Sequence, residues 1–382
     1  MVRYHYIISG AGAAGLTLLM RMIHSQQFSD KSILLVNDHP KIKNDRTWCF
    51  WEKGEGFFEP IVFRQWQQLW FHSHTQSRLH DINPYTYKLI RGIDFYSYCF
   101  TSIRAQPNIT VRYGEVQECF SYENETGIVI DGEKLYADYV FNSILFQNAL
   151  LSGNHHYLLQ HFTGWVISVP SPVFVPGEAT LMDFCTSQQH GTTFVYVMSL
   201  SASEALVEYT ILSEQLIDET LYTRGLETYC RDILKLKEYS IVEKEFGSIP
   251  MTTYPFQHSH NNLVNLGTAG GQTKASSGYT FQFIQEQTEK IVRALLDRGE
   301  PFVKPERSKK RFDFYDAVLL NILAKKKMKG EDVFDRLMSK NNMHAVMKFL
   351  ENKSSVSEDL LLIRHLPKRI FLKAATEEIF KK

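Results

Sequence analysis

The sequence predicts an α/β fold that combines a nucleotide-binding layer, an antiparallel β-sheet and a helical C-terminal region. Three observations predict it. A strand, a glycine-rich turn and a helix follow one another at the N-terminus, three short strands with polar turns occupy the middle, and helical periodicity with many basic residues fills residues 301–382. Since these segments differ in hydrophobic period, a layered fold with two kinds of sheet is expected.

The composition is that of an ordered globular protein. The chain has 382 residues, of which 44% are hydrophobic and 22% charged, enough for two closely packed domains or one large fold with an inserted layer. Its five cysteines are scattered and never spaced as CxxC, which predicts a reduced, cytosolic protein without a zinc site. No run reaches the roughly 18 apolar residues of a transmembrane helix. The sequence therefore predicts a soluble or peripheral protein.

The N-terminal pattern predicts a nucleotide-binding unit. Residues 4–9 form an apolar strand, residues 16–24 form a helix, and the turn between them has the GxGxxG spacing. One glycine permits the tight turn, the next lets the backbone approach a diphosphate, and the last lets the helix pack closely on the strand. The expected cofactor contacts of this motif are Gly10, Gly12, Ala14 and Gly15.

A second apolar strand supports the nucleotide assignment. It covers residues 32–36 and ends at Asn37 and Asp38. In dinucleotide-binding folds an acidic residue near this point contacts the adenosine ribose. Here the acid comes one position late, so either Asn37 or Asp38 is expected to take that role.

A second glycine-rich segment lies between a short strand at 263–266 and a predicted helix at 282–298. Glycines before a long helix offer backbone N–H groups and a positive dipole end, which suit an anionic flavin ring or ribityl chain. The expected contacts are Gly267, Gly270, Gly271, Ser277 and Gly278. The two motifs together resemble those of flavoproteins of the hydroxylase and geranylgeranyl reductase class. Many of these carry an Asp after the first glycine of the second motif, where this chain has Thr268.

Three predicted strands between the two glycine motifs form an antiparallel meander. They cover residues 181–184, 193–199 and 206–212, and short polar turns join them. Glu208 lies in the middle of an alternating apolar strand, and Asp183 interrupts another. Because an unpaired buried carboxylate costs several kcal/mol, on the order of 2–7 for an unsatisfied polar group, Glu208 must be at an exposed edge, paired or catalytic.

Several motifs occur in register from the N-terminus to about residue 316. They are Asp45-Arg46-Thr47-Trp48 with Phe50 and Trp51, Gln160-His161-Phe162-Thr163-Gly164-Trp165, Leu181-Met182-Asp183, Phe194-Val195-Tyr196, Leu206-Val207-Glu208-Tyr209-Thr210, Ser277-Gly278-Tyr279 and Arg311-Phe312-Asp313-Phe314-Tyr315-Asp316. Together they resemble bacterial lycopene β-cyclases of the FAD-dependent lycopene cyclase family. The last sixty or so residues match only loosely.

The resemblance implies a reaction without net redox change. A proton starts the closure of each linear end of lycopene through a tertiary carbocation to a β-ionone ring, giving γ-carotene and then β-carotene. In this family FAD is thought to act in its reduced form, with NADPH as the reductant, and Arg46 in the first motif is a further expected FAD contact. A Rossmann-like FAD-binding domain and a substrate sheet that roofs the flavin are implied by the same resemblance.

The resemblance also assigns roles to the two carboxylates. Glu208 is the expected general acid, since a carboxyl kept neutral by burial and a nearby anion can protonate an alkene. Asp183 is the second candidate, as a partner that shares a proton with Glu208, as an anion that stabilises the cation, or as an ordinary strand-end acid. Aromatic faces stabilise carbocations, and the candidate cavity lining is Trp48, Trp51, Trp165, Phe194, Tyr196 and Tyr279. No histidine spacing fits a metal site.

The C-terminal region is predicted to be helical and basic. Residues 301–382 carry 19 Lys and Arg against 11 Asp and Glu, whereas residues 1–300 carry 23 against 31. Lycopene dissolves in bilayers, so the Lys-rich helices, with their densest run at 325–329, are the expected contact with the inner face of the cell membrane. The alternative is a solvated helical surface. Nucleic acid is disfavoured because no aromatic-interleaved basic motif accompanies the charge.

The sequence therefore predicts a discontinuous FAD-binding domain at 1–150 and 240–300, a substrate-binding antiparallel sheet at 151–240 and a helical region at 301–382. Two other functions remain open at this level. One is a flavin-dependent hydroxylase or geranylgeranyl reductase-like enzyme, which would not depend on an acid at Glu208. The other is a carotenoid-binding flavoprotein without catalysis, which would keep the cavity and tolerate loss of the acid.

Overall fold

Three β-sheets and the helices packed on them make up the part of the chain that the computed structural model describes, which is residues 3–123, 125–146, 154–304, 306 and 308–381. The strands are β1 Arg3–Ser9, β2 Ile33–Asn37, β3 Thr47–Lys53, β4 Arg64–Trp66, β5 Gln68–His72, β6 Ser77–Asp81, β7 Tyr85–Arg91, β8 Ile109–Tyr113, β9 Val116–Ser121, β10 Thr126–Ile130, β11 Glu133–Asn142, β12 Tyr157–Ser168, β13 Glu178–Asp183, β14 Thr192–Ser199, β15 Glu204–Ser213, β16 Ser240–Thr252, β17 Ser259–His260 and β18 Leu263–Asn265. The helices are α1 Ala13–Ser25, α2 Gly92–Arg104, α3 Glu219–Asp232, α4 Phe281–Arg298, α5 Lys309–Ala324, α6 Gly330–Lys340, α7 Met343–Leu350, α8 Val356–Ile363 and α9 Lys368–Ile379.

The first sheet confirms the predicted Rossmann-like layer. Its strand order is β17-β18-β11-β1-β2-β8, and the pairs from β18 to β8 are all parallel. One face is covered by α1, α2 and α4, as expected when helical crossovers connect parallel strands. The strands β9 and β10, which form an antiparallel meander with β11, cover the other face in place of helices.

The predicted strand, turn and helix of the first glycine motif are in place. Gly10 has φ +98°, a backbone conformation that side chains disfavour, and a Cβ at Gly15 would overlap the carbonyl of Gly10. These two glycines therefore let α1 begin directly after β1 and pack closely against it. Gly12, by contrast, has no atom within 4 Å of where its Cβ would be.

The second sheet contains the predicted meander and extends beyond it. Its order is β16-β12-β15-β14-β13-β5-β6, so β5 and β6 pair into it from the segment that the sequence assigned wholly to the FAD-binding domain. The strand β16 likewise runs on to Thr252, past the predicted limit of 240. The predicted limit at 150 and 151 lies outside the described residues. Strand pairing between distant segments has no local sequence signal, and for this reason the boundaries differ.

The two faces of the second sheet pack against different partners. One face, with Val195, Val207 and Tyr209, is buried under α3. The opposite face, with Phe194, Tyr196 and other alternate residues, packs in a cluster with the third sheet, β3-β7-β4, and with α6 to α8. Alternation therefore decides which residues of each strand face the interior between the sheets.

The C-terminal helical region is tied to the second glycine segment by a buried ion pair. Lys274 Nζ lies 2.8 Å from Asp316 Oδ1 on α5 and also donates to Asn352 Oδ1 at 2.8 Å. The hydroxyl of Ser276 donates to the same carboxylate at 2.7 Å. The Lys274 side chain is only 1% exposed, so both charges depend on this pairing.

We expect the change Lys274→Met to cost about 3–5 kcal/mol in the free energy of unfolding, because it leaves Asp316 as an uncompensated buried charge. Lys325→Met is the matched control, since its ion pair with Glu377 is 52% exposed on the lysine side and should cost about 0–1 kcal/mol. Urea unfolding of both variants and of Lys274→Met/Asp316→Leu measures the difference. Equal losses in the two single variants would contradict an anchoring role for the buried pair.

Candidate active site between the sheets

Glu208 lies in the interior between the second and third sheets. It sits in the centre of β15, paired with Gly164 of β12 on one side and with Tyr196 of β14 on the other. Its side chain therefore shares the face of Tyr196, which packs toward the third sheet, and not the face under α3. An exposed sheet edge, one of the three situations considered for this residue, is excluded.

A second carboxylate, Glu245, faces the same space. Gly164 pairs with Glu208 on β15 and with Glu245 on β16, so the two acids flank one glycine on a central strand. A Cβ at Gly164 would lie 2.9 Å from Cγ and 3.1 Å from Oε1 of Glu245. The side chain of Glu245 therefore occupies the space that the missing side chain of Gly164 leaves free, and it leans over β12 toward Glu208.

The hydrogen bonds of the two carboxylates differ. Glu208 Oε1 accepts from the Thr210 hydroxyl at 2.9 Å, and Glu245 Oε2 accepts from the Thr47 hydroxyl at 2.8 Å. Among the described residues, Glu245 Oε1 is buried and has no hydrogen-bond partner. Burying a carboxylate oxygen without a partner costs free energy. This oxygen can therefore be stabilised by accepting a proton or a hydrogen bond from a neighbouring group.

Burial and like charge keep the Glu208 carboxyl protonated. Burial and, after it, the negative charge of Glu245 together raise the pKa of Glu208 to about 8, although the Thr210 hydrogen bond opposes both. Burial also raises the pKa of Glu245, while the Thr47 hydrogen bond and the Arg46 charge lower it. At neutral pH the pair therefore holds one proton that is available for transfer, mainly on Glu208.

Aromatic and sulfur groups surround Glu208. Burial raises the pKa of Cys49, Tyr87, Tyr196 and Tyr279, and the charge of Glu208 raises each of them further. These four groups come from four separate chain segments, so the acid is enclosed on several sides by groups that stay neutral. A carboxylic acid tends to keep its proton in neutral, weakly polar surroundings, because these surroundings do not solvate its charged form.

A partly enclosed cleft adjoins this group. Cys49, Trp51 and Tyr279 line it on the side of the acid, and Leu350 and Lys353 line it on the side of the helical region. The rings of Trp51 and Tyr279 meet edge to face with centroids 4.5 Å apart. Within the described chain, Trp51 Nε1 is buried without a hydrogen-bond partner. The cleft thus offers aromatic faces to an apolar ligand.

Asp183 does not belong to this group. It pairs with Val195, whose side chain lies under α3, so Asp183 projects to the opposite face of the sheet from Glu208. Its carboxylate accepts from the Tyr229 hydroxyl at 2.7 Å and from the Cys185 N–H at 2.7 Å. The expectation that Asp183 shares a proton with Glu208 is therefore wrong. The expectation rested on both carboxylates lying in apolar strands of one sheet, but a β-bulge between Thr180 and Asp183 shifts the register and turns Asp183 to the other face.

Two of the six expected aromatic residues also lie elsewhere. Trp165 follows Gly164 on β12 and so projects under α3, on the face away from Glu208. Trp48 projects to the other side of the third sheet from Cys49, where its ring meets those of Phe95 and Tyr96 at 5.0 and 5.9 Å. Four remain on the correct face: Trp51, Phe194, Tyr196 and Tyr279.

The two glycine motifs meet at the N-terminus of α1. Gly267 begins a short 3-10 turn, Gly267–Gly270, and a Cβ on it would approach the Ala14 Cβ to 2.9 Å. The first turn of α1 has Gly12 as its N-cap and no side-chain cap, so its backbone N–H groups are open to an anion. Gly271 and Gly278 both have positive φ, +73° and +71°. The expected cofactor residues of the two motifs thus lie close together.

Asn37 and Asp38 differ in their surroundings. Asn37 is buried, and its Oδ1 accepts from the Ala11 N–H at 2.9 Å, so it fixes the glycine turn to the end of β2. Asp38 has a side chain that is 64% exposed, and its Oδ1 accepts from Asn37 Nδ2 at 2.7 Å. Of the two residues, Asp38 has the exposed carboxylate that a ribose hydroxyl can reach, and its Oδ2 lies 3.3 Å from His39 Nδ1.

The remaining expected cofactor residues lie on the side of the acid pair. The hydroxyl of Ser277 is buried without a partner among the described residues, in the loop that leads to Gly278. Arg46 donates to the carbonyl of Phe246 at 3.1 Å, next to Glu245. Thr268, where related flavoproteins carry Asp, bonds to the Thr273 hydroxyl at 2.9 Å. An open helix terminus, two glycine loops and an unsatisfied hydroxyl fit a dinucleotide cofactor between the first and second sheets.

Glu245 is a candidate residue of this site that the sequence patterns did not indicate. The stretch Glu243-Lys244-Glu245-Phe246-Gly247 alternates acids with other residues, which reads as an ordinary solvated strand edge. The position of Glu245 in the site depends on the pairing of β16 with β12 at Gly164, which joins residues far apart in the sequence.

Two features are absent among the described residues. These residues contain no group of three metal-ligating side chains, and no helix that is long and apolar enough to cross a bilayer.

Solved structures with the same architecture belong to flavoproteins. A geranylgeranyl bacteriochlorophyll reductase-like protein from Thermoplasma acidophilum superposes with a TM-score of 0.69 at 11% identity, over 97% of this chain and 98% of that one. The flavin-dependent brominase Bmp2 superposes at 0.57 with 12% identity over the full length of both chains. A probable FAD-dependent monooxygenase from Pseudomonas aeruginosa does so at 0.57 with 12% identity, over 87% of this chain and all of that one. Likeness at these identities shows the fold alone.

Sequence similarity is more specific. The lycopene beta-cyclase of Pantoea ananas is 24% identical over 270 residues, which cover 65% of this chain and 63% of that relative, less than two thirds of its length. Residues 6–376 match the family described as lycopene cyclase protein. Because this match includes both glycine motifs, the acid pair and most of the helical region, the chain belongs to the lycopene cyclase family.

Proposed function

We propose that this protein is a lycopene β-cyclase. The observation that carries the proposal is the carboxyl of Glu208, which is kept protonated in an aromatic pocket that includes Tyr279, the residue after Gly278 of the second glycine segment. A protonated carboxyl that can reach an apolar ligand is what proton-initiated closure of an alkene needs. The family membership and the lycopene beta-cyclase relative support the same substrate.

The chemistry assigned to Glu208 is a proton transfer in two directions. Its proton adds to the terminal double bond of one linear end of lycopene and leaves a tertiary cation. The electron pair of a nearby double bond closes the ring onto that carbon, and loss of a ring proton restores a double bond as a β-ionone ring. The ionised pair of Glu208 and Glu245 takes that proton back, so atoms and charge balance without a co-reactant.

The aromatic residues of the pocket are proposed to stabilise the cation. Trp51, Tyr196 and Tyr279 present ring faces or edges to the interior on the side of Glu208. A cation over an aromatic face gains about 0.5–2 kcal/mol when water is excluded. These residues also exclude water, which would otherwise trap the cation as an alcohol.

FAD is the proposed cofactor, and NADPH is its proposed reductant. The Gly12 turn at the open end of α1, Asp38 after β2, and the segment from Gly267 to Gly278 would hold it. When bound in reduced form, FAD supplies a negative charge that stabilises a carbocation without passing electrons to it. Arg46 is a proposed further contact, and it lies beside Glu245.

The proposed route of lycopene is through a membrane surface, with the protein on its cytoplasmic face. The basic run at 325–329 fits this role less well than the sequence predicts, because Lys325 and Lys327 both pair with Glu377. The last two helices, α8 and α9, and the residue after α9 expose apolar side chains, and their exposed fractions are 52% for Val356, 57% for Leu360, 57% for Leu361, 66% for Leu372, 65% for Ile379 and 77% for Phe380. Arg364, Lys368, Arg369 and Lys373 lie in the same segment, which makes α8 and α9 the proposed membrane contact.

The change Glu208→Gln tests the general acid. Gln keeps the shape but holds no transferable proton, so we expect β-carotene formation to fall by about 10²–10⁴-fold while FAD content stays the same. The assay is anaerobic conversion of lycopene in liposomes with FAD and NADPH, with products separated by chromatography. The matched control is Asp183→Asn, since Asp183 lies on the far face of the sheet and should keep catalysis.

Four outcomes of this assay would count against the proposal or a part of it. No cyclised product from the wild type would remove the cyclase function. Equal product from wild type and Glu208→Gln would remove Glu208 as the acid. Net oxidation of NADPH in step with a changed substrate would support the hydroxylase or reductase alternative, and lycopene binding without any product would support a non-catalytic carotenoid-binding flavoprotein.

The change Gly12→Ala tests the cofactor site. No atom lies within 4 Å of the added Cβ in the protein itself, so the melting temperature should change little. The methyl group would instead occupy the space at the helix terminus where a diphosphate binds, and we expect FAD affinity to fall at least about tenfold. Gly177→Ala, at an equally open glycine away from the site, is the control. Unchanged flavin fluorescence titrations in Gly12→Ala would contradict the assignment.

The triple change Leu360→Ser, Leu361→Ser and Leu372→Ser tests the membrane contact. Burial of these side chains in a lipid interface contributes about 1.5–3 kcal/mol each at most, so we expect binding to anionic vesicles to fall at least about tenfold in flotation assays. Val173→Ser with Val175→Ser is the matched control, because these valines are 54% and 55% exposed outside the helical region. Equal losses in both variants would argue against α8 and α9 as the contact.

A further inference from the structure

We propose that Glu245 is a positioning residue that shares one proton with Glu208 across Gly164, so that the acid of this site is a carboxyl pair and not a single glutamate. The inference rests on the proposed function and deepens it. It assigns to Glu245 the ionised half of the pair, held in place by Thr47 and Arg46, and to Glu208 the half that meets the substrate.

The first support is strand register. Both acids pair with the same residue of the strand between them, so they lie at one level on one face of the sheet. The residue between them is a glycine, and any side chain there would meet the Glu245 carboxyl. The two carboxyls can therefore lie next to each other because Gly164 has no Cβ.

The second support is the unsatisfied oxygen. Glu245 Oε2 is held by the Thr47 hydroxyl at 2.8 Å, whereas Oε1 lies over Gly164, buried and without a partner in the described structure. A buried carboxylate oxygen that has no protein donor is costly to maintain unless a proton is shared with it. The group on the other side of Gly164 that can supply this proton is the Glu208 carboxyl.

The third support is the distribution of charge around the pair. Arg46 lies on the side of Glu245 and favours its ionised form, while Asp45 and Glu243 act against it. Around Glu208 the titratable neighbours are Cys49, Tyr87, Tyr196 and Tyr279, which stay neutral at physiological pH. The negative charge is therefore favoured on Glu245 and the proton on Glu208.

This arrangement serves both halves of the reaction. After Glu208 gives its proton to the substrate, two carboxylates face each other in a dry pocket beside a cation. Their repulsion raises the affinity of the pair for a proton, and their combined charge stabilises the cation until the ring proton returns. The net balance is one proton out and one proton back, with no electron transfer.

The test is a pH titration of the carboxyl groups by infrared difference spectroscopy on the full-length, flavin-bound protein. In wild type, the protonated carboxyl band should persist up to about pH 8. In Glu245→Gln the neighbouring charge is gone, so the loss of the band should move down by about one pH unit or more. The alkaline limb of the kcat/KM profile for lycopene should move down by the same amount.

Two controls make the result specific. Glu243→Gln removes an acid from the same strand that pairs with Val166 and not with Gly164, and it should shift the limb by less than about a third of a pH unit. Glu245→Asp keeps a negative charge at the same position and should recover most of the wild-type profile. Unchanged flavin content and melting temperature in Glu245→Gln exclude general misfolding as the cause of a shift.

Each outcome decides the proposal. Superimposable infrared titrations of wild type and Glu245→Gln would overturn the shared proton, even if β-carotene is formed. A loss of activity in Glu245→Gln without a shift of the alkaline limb would reduce Glu245 to a structural role and also overturn it. The infrared arm needs no turnover, so a shared proton in a protein that makes no β-carotene would refute the proposed function and not the pair.

Discussion

The central constraint in this protein is that two carboxyls occupy one apolar space and cannot both be ionised. Glu208 and Glu245 flank Gly164 on a central strand, enclosed by neutral aromatic and thiol groups. In such a place, removing two negative charges from water costs more free energy than two hydrogen bonds from threonine side chains recover. One proton is therefore retained, and a carboxyl that is still protonated at neutral pH is available to donate that proton to an alkene.

The rest of the fold can be understood as the enclosure of that pair. The second sheet supplies both acids and the Tyr196 face, and the third sheet closes the space with Cys49 and Trp51. The loop after the second glycine motif brings Tyr279 from the nucleotide side, and the buried pair of Lys274 and Asp316 fixes that loop to the helical region. The candidate cofactor loop, the acid and the apolar cleft are thereby held next to one another.

The shared architecture explains why fold likeness and function diverge in this group. The similar structures include a brominase, a probable monooxygenase and a reductase-like protein, and all have the same layered fold as this chain. A nucleotide-binding layer can serve any chemistry that a flavin supports, whereas the second sheet determines what lies over it. In this chain that sheet carries a proton donor, which sets its proposed chemistry apart from redox turnover.

The sequence by itself determined the Rossmann-like layer, the meander with Glu208 at its centre and the helical C-terminal region, because glycine spacing and hydrophobic period are local properties. Only the tertiary structure decided where four side chains lie: those of Asp183, Trp48, Trp165 and Glu245. A bulge turned Asp183 to the other face, alternation turned the two tryptophans away, and the pairing of β16 with β12 brought Glu245 to Gly164. Strand register between distant segments and the face a side chain takes are properties of the assembled sheets, which no short stretch of sequence encodes.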